Sequence, residues 1–188
     1  MKKTYLCFLL GLILSSALPC YAERPFFWTV EAGRSTIDIE EQYYIRDYET
    51  TAPEALAISS HFGYQFDNRW LVGAGLAYAT SSFSAGIIDD NYAFGELRAF
   101  TGYSLKLGEH FYLVPMVGVS AWTLITDKSL IFSEEEEPED EMDGTDIYGQ
   151  LNAEIPFNNR LSITLSYTRV TTAPAQVSST KLGLLGRF

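Results

Sequence analysis

Past position 22 this chain has no cysteine, because Cys7 and Cys20 are its only two. Disulfides, thiolate metal sites and a cysteine nucleophile are therefore excluded from everything downstream. Histidine is nearly as scarce, with His61 and His110 alone. Cations are outnumbered, 13 Lys and Arg against 24 Asp and Glu, for a formal charge of −11. A chain this acidic repels nucleic acid. Long apolar runs are missing too. The longest, from about Tyr5 to Leu14, falls well short of the ~20 residues a spanning helix needs. No stretch sustains an apolar period of 3.6, so helices are not expected.

What is present begins with an export signal. Residues 1–22, MKKTYLCFLLGLILSSALPCYA, place Lys2 and Lys3 before the apolar run and small or turn-forming residues after it. This pattern predicts a secretory signal removed after Ala22. Its removal takes two cations and no acid, so the remainder, 23–188, is more acidic still. That remainder suits one domain, with no Pro- or Ser-rich linker dividing it.

Downstream, apolar and polar residues alternate over segments of roughly 10 to 14 residues rich in Tyr, Phe, Val, Thr and Gly. Eight strands are expected, near 27–39, 55–66, 70–80, 91–105, 111–124, 145–157, 160–170 and 178–188. Tight links (FDNRW at 66–70, LKLGEHF at 105–111, FNNRL at 157–161) alternate with longer polar ones near 40–54, 81–90, 127–144 and 171–177. Short turns on one side and long loops on the other mark an up-and-down antiparallel sheet in a membrane. Aromatics fit two interfacial levels: Phe66, Trp70, Tyr103, Phe111, Phe157 and Phe188 near the short turns, and Tyr78, Tyr92, Trp122, Tyr148 and Tyr167 near the long links. A sheet that spans lipid has to close on itself, so the last strand should pair with the first. Pro115, inside the fifth strand, should cause a bulge or bend.

The GYQFDNRW stretch, the tight turns and a final alternating strand ending in Phe188 give a chain that resembles the small eight-stranded outer-membrane barrels of Gram-negative bacteria typified by OmpX, Ail and the barrel domain of OmpA. The resemblance covers the whole of 23–188. It implies an all-β, eight-stranded antiparallel up-and-down transmembrane β-barrel in the outer membrane, a monomer in contact with outer-membrane lipid and lipopolysaccharide. It also implies that the terminal aromatic, Phe188, belongs to the signal read by the barrel-assembly machinery.

Alternation carried inward nominates a lumen set of Glu31, His61, Glu96, Arg98, Gln150, Asn152, Glu154, Lys181 and Arg187. The interior of an eight-stranded barrel is just filled by side chains. Because unpaired buried charge is so costly, the balanced set reads as a salt-bridge and hydrogen-bond network rather than a conduction path. A lipid A-modifying enzyme is the alternative, with a narrow channel after it. The enzyme would need a nucleophile, a His base and an orienting acid within reach. His110 sits in a tight turn without a serine beside it, and His61 has Ser59 on its face but no assigned acid. A non-enzymatic protein without cofactor is expected.

The acidic stretch SEEEEPEDEMDG at 133–144 concentrates eight carboxylates. Read as a calcium loop, Glu139, Glu141, Asp143 and Gly144 match positions 1, 3, 5 and 6, but position 12 is Gln150 rather than a bidentate carboxylate. A solvated loop is expected, with weak divalent-cation binding through Glu139, Glu141 and Asp143 the secondary reading.

Overall fold

The computed structural model describes residues 24–39, 54–80, 91–127 and 140–188. The expected signal peptide, the links at 40–53 and 81–90, the acidic residues at 134–137 and 139, and the side chain of Tyr92 lie outside the described residues. Eight long strands are present: β1 Phe26–Ile39, β2 Glu54–Gln65, β3 Trp70–Thr80, β4 Asn91–Tyr103, β5 Tyr112–Asp127, β6 Asp140–Pro156, β7 Leu161–Thr171 and β8 Ala175–Arg187. A two-residue piece, Leu105–Lys106, continues β4 and pairs with β5. Each strand is antiparallel to the next in sequence, and β1 pairs with β8 from Phe27↔Arg187 to Ile39↔Ala175. The sheet is thereby a closed barrel with no free edge. Its seam is finished by the last residue, where the Phe188 N–H donates to the Phe26 carbonyl at 3.0 Å and the Phe26 N–H donates back at 3.3 Å.

Alternation along each strand sorts the side chains into an inverted arrangement. On β8, Leu182 and Leu184 are about 60% exposed on the outer wall while Lys181, next to Leu182 in the chain, is 1% exposed. On β1, Trp28 and Val30 face out while Glu31 is fully buried. A protein in water would reverse this; a protein solvated by hydrocarbon requires it. At the short-turn end, Phe26, Phe62, Trp70, Phe157 and Phe188 are exposed. The ring of Phe188 stacks near Phe26 at 6.3 Å and Phe62 at 6.2 Å, so the terminus contributes to an aromatic belt as well as to the seam.

Four expectations are corrected. The link expected at 171–177 is only the three residues 172–174. There the Thr172 hydroxyl donates to the Ala175 carbonyl at 2.8 Å and accepts from its N–H at 2.9 Å, closing the turn early so that Val177 pairs with Val170. The expected loop at 127–144 is likewise shorter, because β6 starts at Asp140 and pairs with Thr126. Ladder bonds are made by the backbone, so carboxylate side chains can extend a strand wherever water still solvates them. Trp122 and Tyr148 do not belong to the outer aromatic level. They lie on the inward parity of β5 and β6, 6% and 1% exposed, whereas Tyr78 and Tyr167 face out. Finally, Pro115 causes no bulge. Register with β6 runs unbroken through Val114↔Asn152, Pro115↔Leu151 and Met116↔Gln150. On the other side the ladder stops at Gly102↔Met116 and resumes at Leu105↔Leu113 with no residue inserted. The missing N–H is met by a gap in the ladder on that side, while on the opposite side of β4 the Ser104 N–H donates to the Arg69 carbonyl at 2.9 Å and continues the pairing with the β2–β3 turn.

The narrow lumen is filled by opposing large side chains to glycine. Across the seam Glu31 faces Gly183 and Lys181 faces Gly33. Gly75 lies between His61 and Arg98, and Gly118 between Phe100 and Tyr148. A Cβ at Gly33 would strike the Thr180 carbonyl and come within 2.6 Å of the Lys181 Cα, both backbone atoms that cannot swing away. Gly33→Ala should therefore destabilise the folded barrel by roughly 1–3 kcal/mol. Urea unfolding in detergent micelles checks this, with the outward Ala32→Gly as a control expected to change the midpoint much less.

Candidate functional site

The inward polar side chains meet in three clusters stacked along the lumen. The first is centred on Glu31, on β1. Its carboxylate accepts from Ser59 on β2 at 3.0 Å, and from Ser166 and Thr164 on β7 at 3.0 and 3.3 Å. Lys181 Nζ lies 4.0 Å away across the seam and donates to Thr168 at 3.5 Å. The second joins Glu96 and Arg98, two residues apart on β4. Arg98 donates to the Glu96 carboxylate through Nη2 at 2.5 Å and Nε at 3.1 Å. Ser120 donates to Glu96 at 2.8 Å, and the guanidinium lies 4.8 Å from the centre of the Tyr148 ring. The third, at the short-turn end, pairs Arg187 with Glu154 at 2.6 Å, with Ser162 donating to the same carboxylate at 2.8 Å. Gln150 and Asn152 sit between the second and third, linked by a 2.8 Å bond from the Gln150 amide.

The structure thus brings every one of the nine nominated lumen residues into the interior. All but Arg187 are more than nine-tenths buried, and the Arg187 side chain is 22% exposed at the mouth. Ser59, already placed on the His61 face, turns out to bond Glu31, and the partners that alternation did not single out are further hydroxyls: Ser120, Ser162, Thr164 and Ser166. They occupy inward parity as the charges do, so the signal was present; what the sequence lacked was the register that decides which hydroxyl meets which carboxylate. A carboxylate in such a site needs several donors, and Glu31 has three hydroxyls besides its cation.

His61 shows what this interior can and cannot do. Its Nδ1 is 3.1 Å from the Thr29 hydroxyl and 4.0 Å from Glu31. A hydroxyl–His–carboxylate relay places nucleophile and acid on opposite ring nitrogens; here both lie at Nδ1. Nε2 has no hydrogen-bond partner among the described residues, and His61 is one of the residues lining a cavity of about 20 Å³, room for about one water. Ser59 is bonded to Glu31 rather than to His61. The arrangement positions a histidine against Phe100, ring centres 5.6 Å apart, and gives no activated nucleophile.

Nor do the described residues include a cluster of three or more His, Cys, Asp or Glu able to hold a metal ion. Glu141 and Asp143 lie on one exposed face of β6, where an extended chain sets alternate residues about 7 Å apart and cannot wrap an ion as a loop does. Glu139 lies outside the described residues.

No protein-family model matches the chain, and no curated protein matches it. Solved structures do. Neisserial surface protein A (NspA) aligns over 87% of this chain and 97% of its own, with a TM-score of 0.66 at 6% identity. Ail, the attachment invasion locus protein of Yersinia pestis, solved with the heparin analogue sucrose octasulfate, covers 87% and 99% with a TM-score of 0.53 at 18% identity. The outer-membrane protein OprG from Pseudomonas aeruginosa covers 88% and 97% with a TM-score of 0.54 at 13% identity.

The Arg98 cluster is open to direct test. Arg98→Met removes the cation and leaves Glu96 buried with only the Ser120 hydroxyl, which should cost about 3–5 kcal/mol of stability. Adding Glu96→Gln should recover most of that loss. Unfolding midpoints of the single and double variants in one detergent measure both effects. With eight strands, antiparallel neighbours throughout and a seam between first and last, the chain has the fold of the small eight-stranded outer-membrane β-barrels.

Proposed function

We propose that the chain is a non-enzymatic integral outer-membrane protein of a Gram-negative bacterium, exported by residues 1–22 and inserted with its short turns in the periplasm. Its longer links stand at the cell surface, where they serve interaction or envelope integrity. The observation that carries this reading is the inverted barrel: an outer wall of Leu, Ile, Val and aromatic residues around buried, paired charges. Such a wall is soluble only in lipid. The filled lumen supports a plugged scaffold over a channel, and the placement of His61 supports a scaffold over a lipid A-modifying enzyme. Mass spectrometry of lipid A from cells with and without the protein tests the enzyme reading, and an altered acyl pattern would overturn the non-enzymatic one.

The surface partner is constrained by charge. Ail was solved with a polyanion, but the segment between β5 and β6 here carries Glu134, Glu135, Glu136 and Glu137, which would repel one. Its expected company is the lipopolysaccharide leaflet with divalent cations between the two sets of anions. Since Thr126 already pairs with Asp140, deleting 129–138, which leaves a three-residue link of Asp127, Lys128 and Glu139, should leave the unfolding midpoint of the barrel within about 0.5 kcal/mol of the parent. The same deletion should remove the magnesium dependence of cleavage by an acid-specific protease added to intact cells.

The terminus gives a second test. Phe188 closes the seam through its backbone and the aromatic belt through its ring, so Phe188→Ala should keep the backbone bonds and lose the ring. If the ring is part of the assembly signal, outer-membrane levels should fall severalfold while barrels that do fold unfold within about 1 kcal/mol of the parent. Fractionation followed by denaturant titration separates the two quantities, and undiminished levels would count against the assembly role.

A further inference from the structure

The short-turn mouth of the barrel holds a feature that the scaffold reading does not use. A cleft of about 330 Å³ opens there, with Arg24, Arg69 and Arg187 among the residues that line it and Asp67 as its single carboxylate-bearing residue. The three arginines come from separate parts of the chain, namely the segment before β1, the β2–β3 turn and the end of β8. Each is tethered. Arg24 Nη1 donates to the Asn159 carbonyl at 3.0 Å, and the next carbonyl, of Pro25, accepts from the Gln65 N–H at 2.7 Å. Arg187 is held against Glu154, and its backbone N–H donates to the Arg160 carbonyl at 2.7 Å.

Arg69 is held most firmly, and against its own preference. Its φ of 70° makes it the one non-glycine residue of positive φ among the described residues. Its N–H donates to the Phe66 carbonyl at 2.9 Å and its carbonyl accepts from Ser104 at 2.9 Å, so the backbone is fixed from both sides. Glycine would occupy this conformation without strain, and strain of this kind persists where the surroundings over-determine it. FNNRL at 157–161 has Arg160 in the matching sequence position without positive φ, so the strain is particular to Arg69. The outcome is a long cationic side chain delivered to the cleft from a slot better suited to glycine.

With Arg187 offset by Glu154, the cleft keeps Arg24 and Arg69 against Asp67, an excess of one cation, with the Arg24 side chain and the Arg69 backbone held in place. Guanidinium forks of this kind match the oxygens of phosphate. We propose that the cleft binds a phosphate-type oxyanion, taken either free from solution or as the headgroup phosphate of a lipid in the leaflet around the short-turn end. The second source rests on the membrane reading above: Trp70, next in the chain, faces the outer wall at a level where aromatic rings meet headgroups.

The test uses the folded protein in octyl glucoside, a phosphate-free detergent, titrated with inorganic phosphate at constant ionic strength while arginine Nε–Hε resonances are followed by NMR. Saturable shifts confined to Arg24, Arg69 and Arg187 are expected. Arg69→Gly should weaken binding about tenfold while leaving the unfolding midpoint unchanged or raised, and Asp67→Asn should tighten it severalfold. Because Arg69→Gly relieves strain, a loss of binding there cannot come from a failure to fold. In nanodiscs containing phosphatidylglycerol, shifts already present before phosphate is added identify the lipid headgroup as the occupant. Shifts that still need added phosphate identify the free anion. An absence of saturable shifts in octyl glucoside, or unchanged phosphate binding by Arg69→Gly, would overturn the proposal.

Discussion

The pairing of β1 with β8 is the constraint from which the rest of this structure follows. Bilayer hydrocarbon supplies no hydrogen bonds, so an open edge would leave a row of unsatisfied backbone groups. The seam from Phe27↔Arg187 to Ile39↔Ala175 removes that edge, and with only eight strands it also fixes a narrow bore. Everything inward has to fit that bore. Glu31 and Lys181 fit because each faces a glycine across the seam, and Arg98 because Gly75 stands beside it.

A bore lined with charge then has to be satisfied chiefly by its own side chains. Among the described residues Glu31, Glu96 and Glu154 share the interior with Arg98, Lys181 and Arg187, and the details differ by cluster. Glu96 and Arg98 form a close two-point pair, whereas Glu31 relies on three hydroxyls and only a 4.0 Å approach from Lys181. These groups contribute to one arrangement over others more than to net stability, since buried ion pairs rarely exceed their desolvation cost by much. What they do supply is a lumen that admits little besides its own side chains, which leaves both mouths of the barrel as the places where the chain can meet something else.

Much of this was legible in the sequence because a period of two is a strong signal over strands this long. Period two marked out the eight strands, the inward set from Glu31 to Arg187 and, with the need to close the sheet, the pairing of the last strand with the first. It failed where parity and chemistry pull apart. Trp122 and Tyr148 look like interfacial aromatics by type and level, but their parity turns them inward, where Trp122 donates to Asp146 at 2.8 Å and stacks 6.0 Å from Phe94. Strand ends failed for a related reason. Thr171 and Gln176 read as loop residues, and Asp140 and Glu141 as an acidic linker, yet all four pair with a neighbouring strand because backbone bonding does not depend on side-chain polarity. The strained backbone of Arg69 left no mark at all, since FDNRW and FNNRL read alike.

The central claim is that parity alone decides which side chains meet lipid and which fill the lumen, and the three tryptophans sample both sides. Trp28 and Trp70 face out, while Trp122 is buried. Single-tryptophan variants folded into vesicles of brominated phospholipid test it most directly. The account predicts strong quenching of Trp28 and Trp70 and little of Trp122. Strong quenching of Trp122, or protection of Trp28, would contradict it.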